Sequence, residues 1–289
     1  MVWKDVIAKS TAFLDQKGVP DARVASELLA ARLLRLGRGF LAGSQEREVP
    51  AGHLEAMRRG LARLVRGEPL QYVLGEWDFR TLTLKCDPRA LIPRPETEEL
   101  VSRVLRHLDA RLAGQPDAVP FVVDVGTGTG AIILSLAKEY RGRAAFLGTD
   151  VSEGAIALAR ENAVRCGLAE RVKLAVADGL DDFDEPQCLD VIVSNPPYVT
   201  SSDCETLELR VRGYEPRLAL DGGVSGLDFH MRYLSDAVNL LKPGGAVFLE
   251  IGDGQGEAVR QLMFDCGFDG IAIEKDDAGH DRYASAVLK

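Results

Sequence analysis

From Phe121 onward, short apolar runs alternate with stretches of helical periodicity, and that alternation restricts the possible folds more than any other feature of the chain. Phe121–Val125, Ala145–Thr149, Val172–Val176, Leu189–Val193 and Ala246–Ile251 read as strands. Ala131–Tyr140, Glu153–Cys166, Leu227–Leu241 and Gly256–Cys266 read as helices between or after them. Strands this apolar, joined by helix-length connections, imply an α/β fold whose parallel sheet is covered on both faces. Ligands of such sheets bind beyond the carboxyl ends of the strands, where the strand order reverses.

The first part of the chain follows a different pattern. Val2, Val6, Ile7, Phe13 and Leu14 recur at helical spacing, Pro20-Asp21 breaks that segment, and an Ala- and Leu-rich segment follows through Leu34. His53–Val65 places Leu54, Met57, Leu61, Leu64 and Val65 on a further stripe, so residues 1–75 read as a small helical bundle with no catalytic cluster. Residues 76–95 read as a β-hairpin linker, from the partial alternation of Trp77–Lys85 to the extended Leu91-Ile92-Pro93-Arg94-Pro95. A helix from Glu96 to His107 and a loop at Gly114-Gln115-Pro116-Asp117 open the third part, residues 96–289.

Charge divides along the same line. Residues 1–90 carry 15 Lys/Arg against 11 Asp/Glu, whereas residues 91–289 carry 20 against 33. The acidic larger part argues against stable nucleic-acid binding, which needs a basic surface. The five cysteines and four histidines are dispersed, with no CxxC and no HExxH, so neither a disulfide framework nor a metal site is expected. No apolar stretch approaches the ~18 residues of a membrane span. Lys4, Asp5 and Lys9 occupy the place of a signal-peptide core, so a cytoplasmic protein is expected.

Asp124-Val125-Gly126-Thr127-Gly128-Thr129-Gly130-Ala131 closes the first strand and opens a helix. Glycines there permit a sharp turn and let a ligand approach the backbone and the helix N-terminus. Asp150 ends the second strand, where an acidic side chain reaches ribose hydroxyls. Asp178, followed by Gly179, ends the third and is placed to face an adenine edge. Together these point to a nucleoside-bearing cofactor without separating NAD from S-adenosylmethionine.

The fourth strand runs into Asn195-Pro196-Pro197-Tyr198. Two prolines cannot continue a ladder, so they fix a rigid loop at the strand end. That loop offers an amide side chain, unpaired carbonyls and an aromatic ring, a set able to grip a planar amide or amino group. A dehydrogenase would need an acid or base at this point.

With these residues the chain resembles class I S-adenosylmethionine-dependent methyltransferases, and within them the HemK/PrmC family of protein-(glutamine-N5) methyltransferases. The resemblance extends over Gln71-Tyr72-Val73-Leu74-Gly75, Leu91 to Glu98, Asp124 to Ala131, Val193 to Val199, Tyr214-Glu215-Pro216, Gly226-Leu227-Asp228, Leu241 to Gly245 and Asp277 to Arg282. It implies a Rossmann-like methyltransferase sheet with a small all-helical N-terminal domain that docks the protein substrate. It also implies methylation of the Gln side-chain amide in the Gly-Gly-Gln loop of class-1 peptide chain release factors, modulating translation termination. S-adenosylmethionine would be held by Gly126, Thr127, Gly128, Thr129, Gly130, Asp150, Asp178, Gly179 and Asn195. The substrate would meet Asn195, Pro196, Pro197 and Tyr198, with Asn195, Pro196 and Tyr198 acting in catalysis by a monomer. One departure is Phe79-Arg80-Thr81, where relatives tend to carry an aromatic and a glycine. Asn-Pro-Pro-Tyr is shared with adenine-N6 DNA and some RNA methyltransferases, which leaves that activity as one alternative and a non-catalytic cofactor-binding adaptor as another. Arg94 and Glu98 are read as either pocket braces or a solvated pair at a helix start, Glu250 as structural or functional, and Trp3 and the methionines as core.

Overall fold

The computed structural model describes residues 1–113 and 117–289. Most of the loop read at Gly114–Asp117 lies outside the described residues. The chain forms two compact units, one of Met1–Glu76 with Glu208–Tyr214 and one of Trp77–Leu207 with Glu215–Lys289.

The smaller unit is helical, with Trp3–Gln16, Ala22–Leu34, Ala51–Val65, the short Leu70–Leu74 and an unanticipated 3-10 turn at Arg38–Ser44. Trp3, Val6, Ser10 and Leu14 share the buried stripe of the first helix, whereas Phe13 falls off it and is exposed. In the third, Met57, Gly60, Leu61 and Leu64 are buried, and Val65, eight residues beyond Met57, turns outward. Of the methionines, Met57 and Met263 are core, while Met1 and Met231 are exposed. The helix Leu209–Arg212 belongs here despite its place in the sequence, and the Tyr214 hydroxyl donates to the Arg66 carbonyl at 2.8 Å.

In the larger unit, β1 (Glu76–Phe79) and β2 (Leu82–Lys85) form a two-stranded sheet. The main sheet holds β3 (Phe121–Val125), β4 (Ala145–Asp150), β5 (Val172–Val176), β6 (Leu189–Ser194), β7 (Leu241–Glu250), β8 (Phe268–Lys275) and β9 (Asp281–Leu288). Their order is β5-β4-β3-β6-β7-β9-β8. Pairing is parallel from β5 to β7 and antiparallel for β7–β9 and β9–β8. The parallel sheet read from the sequence thus carries two further antiparallel strands, β9 and β8, at this edge.

Successive residues of the central strands enter opposite cores. Val122, Val191, Val193, Ala246 and Phe248 join one; Val123, Ile192, Val247 and Leu249 join the other. That two-sided burial explains why these strands lack polar alternation. Because β3 pairs with β4 on one side and β6 on the other, the order reverses between β3 and β6. Their carboxyl ends, which carry the glycine turn and the Asn195 loop, lie side by side at this switch point.

Candidate active site

One cavity at these strand ends is lined by Gly126, Thr127, Gly128, Thr129, Asp150, Asp178, Gly179, Asn195 and Pro197. The structure therefore brings together most of the residues singled out from three strand ends and the fourth-strand loop. Gly126, Gly128 and Gly130 have φ of 73°, 55° and 83°, the left-handed region that side chains disfavour. Gly130 lies behind the turn, where a Cβ would stand 2.9 Å from Leu134 Cδ1. The turn is tied to its strands: the Thr127 amide donates to the Thr149 carbonyl at 2.8 Å and the Thr127 hydroxyl to Asp124 Oδ2 at 2.6 Å. Burial pushes the Asp124 carboxyl up to about 7.

Asp150 secures the same turn. Its Oδ2 accepts from the Gly128 amide and its Oδ1 from the Ser152 amide, each at 2.9 Å. Burial raises its pKa above the ordinary carboxylate value. A carboxylate has about four acceptor positions, so two backbone bonds leave capacity for a diol. Farther along the cavity, Asp178 Oδ1 is paired with Arg232 at 2.7 Å, which leaves its other oxygen for a ligand. Ala90, Ile92, Phe229 and Tyr233 supply apolar wall. A glycine turn that leaves the backbone open to approach, an acceptor pair and apolar walls suit a nucleoside-bearing group.

Gly128→Val is expected to weaken S-adenosylmethionine binding at least tenfold. A Cβ at 128 would meet the Ala90 Cβ at 3.7 Å and the Gly126 carbonyl oxygen at 4.0 Å, ordinary contacts, so no protein atom excludes it. The damage comes instead from forcing a β-branched residue to positive φ, a cost of about 1–3 kcal/mol that would displace the amide now bonded to Asp150. Calorimetric titration of the folded variant checks this; unchanged affinity would reduce the turn to a plain connection.

Strand β6 is buried throughout, and the Ser194 hydroxyl donates to the Val125 carbonyl at 2.6 Å, stitching β6 to β3. Beyond it, Asn195 Nδ2 donates to the Thr97 hydroxyl at 3.1 Å, and that hydroxyl donates to Glu250 Oε2 at 2.6 Å. Among the described residues no hydrogen bond reaches Asn195 Oδ1 or the Pro196 carbonyl. Pro196 is buried and Tyr198 half-buried, and neither lines the cavity wall. The Tyr198 hydroxyl donates to Glu250 Oε1 at 3.4 Å, and its ring centroid lies 6.0 Å from the Arg282 guanidinium. Burial, and then the Glu250 charge, raises the Tyr198 pKa, which keeps the phenol neutral. The Tyr198 carbonyl accepts from Gln255 Nε2 at 3.0 Å, which pins the far end of the loop.

The two options for Arg94 and Glu98 separate. Arg94 lines the cavity and pairs at 2.6 Å with Glu215, a buried carboxylate that also accepts from the Ile92 amide. Glu98 accepts from the Arg80 amide at 2.9 Å and serves the hairpin. Arg80 has φ of 52°, a conformation suited to glycine, and is held by a two-pronged pair with Glu139 at 2.8 and 2.6 Å. Sequence reasoning missed Thr97, Glu215 and Gln255. Thr97 was findable: it is the first position of the stripe Thr97, Leu100, Val101, Val104, Leu108 that the helix Pro95–Arg111 buries. Among the described residues no His/Cys/Asp/Glu group could hold a metal ion, no disulfide links any of the five cysteines, and no helix is long and apolar enough to cross a membrane.

This fold is that of a methyltransferase. Residues 121–266 match the family described as "Methyltransferase domain". A methyltransferase from Pyrococcus furiosus superposes with a TM-score of 0.50 at 22% identity, over 72% of this chain and 89% of that one. The hMettl16 catalytic domain, solved with the MAT2A 3'UTR hairpin 6, gives a TM-score of 0.58 at 17% identity, over 76% and 79%. The narrower assignment comes from sequence. Residues 5–75 match the PrmC N-terminal domain. The release factor glutamine methyltransferase of Geobacter sulfurreducens is 38% identical over 97% of this chain and 95% of its own length. Its Homo sapiens relative, MTRF1L release factor glutamine methyltransferase, is 34% identical over 96% and 85%. The chain belongs to the release factor glutamine methyltransferase family.

Proposed function

We propose that this chain is a cytoplasmic enzyme that methylates the side-chain amide nitrogen of the Gln in the Gly-Gly-Gln loop of class-1 peptide chain release factors, modulating translation termination. The observation that carries this reading is the placement of Asn195 on the wall of the same cavity that Gly128 and Asp150 line, in a chain of this family. Bound there, S-adenosylmethionine supplies an electrophilic methyl group on a positively charged sulfur. Asp150 would hold the ribose hydroxyls, Asp178 and Gly179 the adenine, and the Gly126–Gly130 turn the amino-acid part.

An amide nitrogen is a weak nucleophile because its lone pair is delocalised into the carbonyl. Asn195 Oδ1 and the Pro196 carbonyl would accept its two N–H bonds, favour positive charge on nitrogen and hold its lone pair toward the methyl donor; after transfer the nitrogen returns to a neutral amide by releasing one of these protons to water. Neither acceptor is spent on another bond among the described residues, which supports this role. Pro197 lines the slot, and Tyr198, its hydroxyl committed to Glu250, supports the loop from behind. The unit Met1–Glu76 with Glu208–Tyr214 is assigned the docking of the protein substrate, on the strength of the basic balance of residues 1–90. Cutting at residue 75 would strip Glu208–Tyr214 from the unit it packs in, so that role is better probed by surface substitution.

Radiolabelled methyl transfer tests the reading. Label is expected in a purified class-1 release factor and not in adenine-containing DNA or RNA offered separately. Label in nucleic acid alone would replace this function by the adenine alternative.

A further inference from the structure

We propose that Glu250 and Thr97 form a hydrogen-bond relay that fixes which atom of the Asn195 amide faces the substrate, so that both are positioning residues for methyl transfer. The inference rests on Asn195 accepting a substrate N–H bond, as in the function proposed above. The amide ends of asparagine, oxygen and NH2, have nearly the same size, so shape does not choose between the two orientations. The choice falls to the partner, and here the partner is Thr97.

A threonine hydroxyl has one proton. Above about pH 7 Glu250 is ionised and can only accept, and its Oε2 takes that proton at 2.6 Å, a short charge-assisted bond. The Thr97 oxygen then has only lone pairs left, and it must receive Asn195 Nδ2, which stands 3.1 Å away. Asn195 Oδ1 is thereby left as an acceptor. With the carbonyl of the next residue, Pro196, it gives two acceptors, matched to an NH2 group and mismatched to a carboxylate. The relay therefore selects the nitrogen end of a glutamine amide and rejects a glutamate.

The placement is costly, which argues against a purely structural role. Glu250 is 1% exposed and Thr97 4% exposed. Around the carboxyl stand Thr97 from the helix Pro95–Arg111, Tyr198 from the loop after β6, Glu96, and Arg282 and Tyr283 from β9, while His230 Nε2 meets its backbone carbonyl at 3.1 Å. Burial outweighs the Thr97 bond and Arg282 and pushes the carboxyl up to about 7 from 4.5. A raised carboxyl stabilises the fold below its unfolded value and loses that stability as pH rises toward its folded value. At pH 8 a leucine in its place removes the cost of the buried charge.

The test compares wild type, Thr97→Val, Thr97→Ser and Glu250→Leu at pH 8; leucine is chosen because glutamine would keep an oxygen able to accept the Thr97 proton. Single-turnover methylation of a release factor is expected to fall roughly 10- to 100-fold in Thr97→Val and Glu250→Leu, because the misplaced amide costs orientation. Affinity for S-adenosylmethionine should stay within about twofold, and Thr97→Ser, which keeps the hydroxyl, should recover to within about threefold of wild type. Glu250→Leu should melt at pH 8 no lower than wild type, an outcome that a fold-holding role would reverse. Should Thr97→Val fail to fold, Glu250→Leu at wild-type rate overturns the relay by itself; so does Thr97→Val at wild-type rate. If wild type methylates no release factor, the proposed function fails instead. The relay is then read from the Asn195 side-chain NH2 protons, which exchange faster with water in Thr97→Val if it exists and at an unchanged rate if it does not.

Discussion

Asn195→Ala is expected to slow single-turnover methylation of a release factor by roughly 10²–10³-fold, the usual effect of removing one preorganised partner of developing charge. Cofactor affinity should change little, because Gly126 to Thr129 and the Asp150 carboxylate, which line the same cavity, do not bond to Asn195. The loss should appear in kcat rather than KM, since the bond to Oδ1 strengthens only as the substrate nitrogen becomes positive. Asn195→Asp is the more searching variant. An aspartate there would compete with Glu250 for the single Thr97 proton, placing two carboxylates about one hydroxyl. Retention of more than about a tenth of the wild-type rate by either variant, a loss below ~1.4 kcal/mol, would exclude the amide clamp.

Asp150→Ala is expected to reduce S-adenosylmethionine affinity about 100-fold, or roughly 2–3 kcal/mol, with the fold intact. Two losses combine. The carboxylate no longer accepts ribose hydroxyls, and the Gly128 and Ser152 amides lose the acceptor that fixes the turn. The helix that follows keeps its own cap, because the Ser152 hydroxyl accepts from the Ala155 amide at 3.2 Å, so the variant should fold. Asp150→Asn separates the two losses: its NH2 must confront one of the two backbone N–H groups. Calorimetry together with a thermal melt checks this, and normal affinity in a folded variant would remove Asp150 from the cofactor site.

Strands β3 and β6 were legible because burial on both faces leaves a short apolar run, and β5, half-exposed at the sheet edge, was legible from its Val and Leu content. The glycine turn was legible because three positive φ angles in five residues require glycine. Strands β8 and β9 were not: Phe268 to Lys275 is largely exposed at the sheet edge, and Arg282 and Ser285 interrupt any apolar signal in β9. Arg80 shows why the hairpin departure was harmless, since Glu139 and Glu98 hold a conformation that glycine would adopt unaided. The supports of Asn195 were hidden by distance along the chain. Thr97 and Glu250 lie 153 residues apart and meet only because the helix Pro95–Arg111 buries its first turn beside the end of β7. The affiliation of Glu208–Tyr214 with the small unit is likewise a property of the folded chain.

The most direct test of the whole account is mass-spectrometric mapping of a purified class-1 release factor after incubation with this protein and S-adenosylmethionine. The account predicts one added methyl group, on the side-chain nitrogen of the Gln in Gly-Gly-Gln, present with wild type and missing with Asn195→Ala. A methyl group on any other residue, or the same modification at an undiminished level with Asn195→Ala, would contradict it.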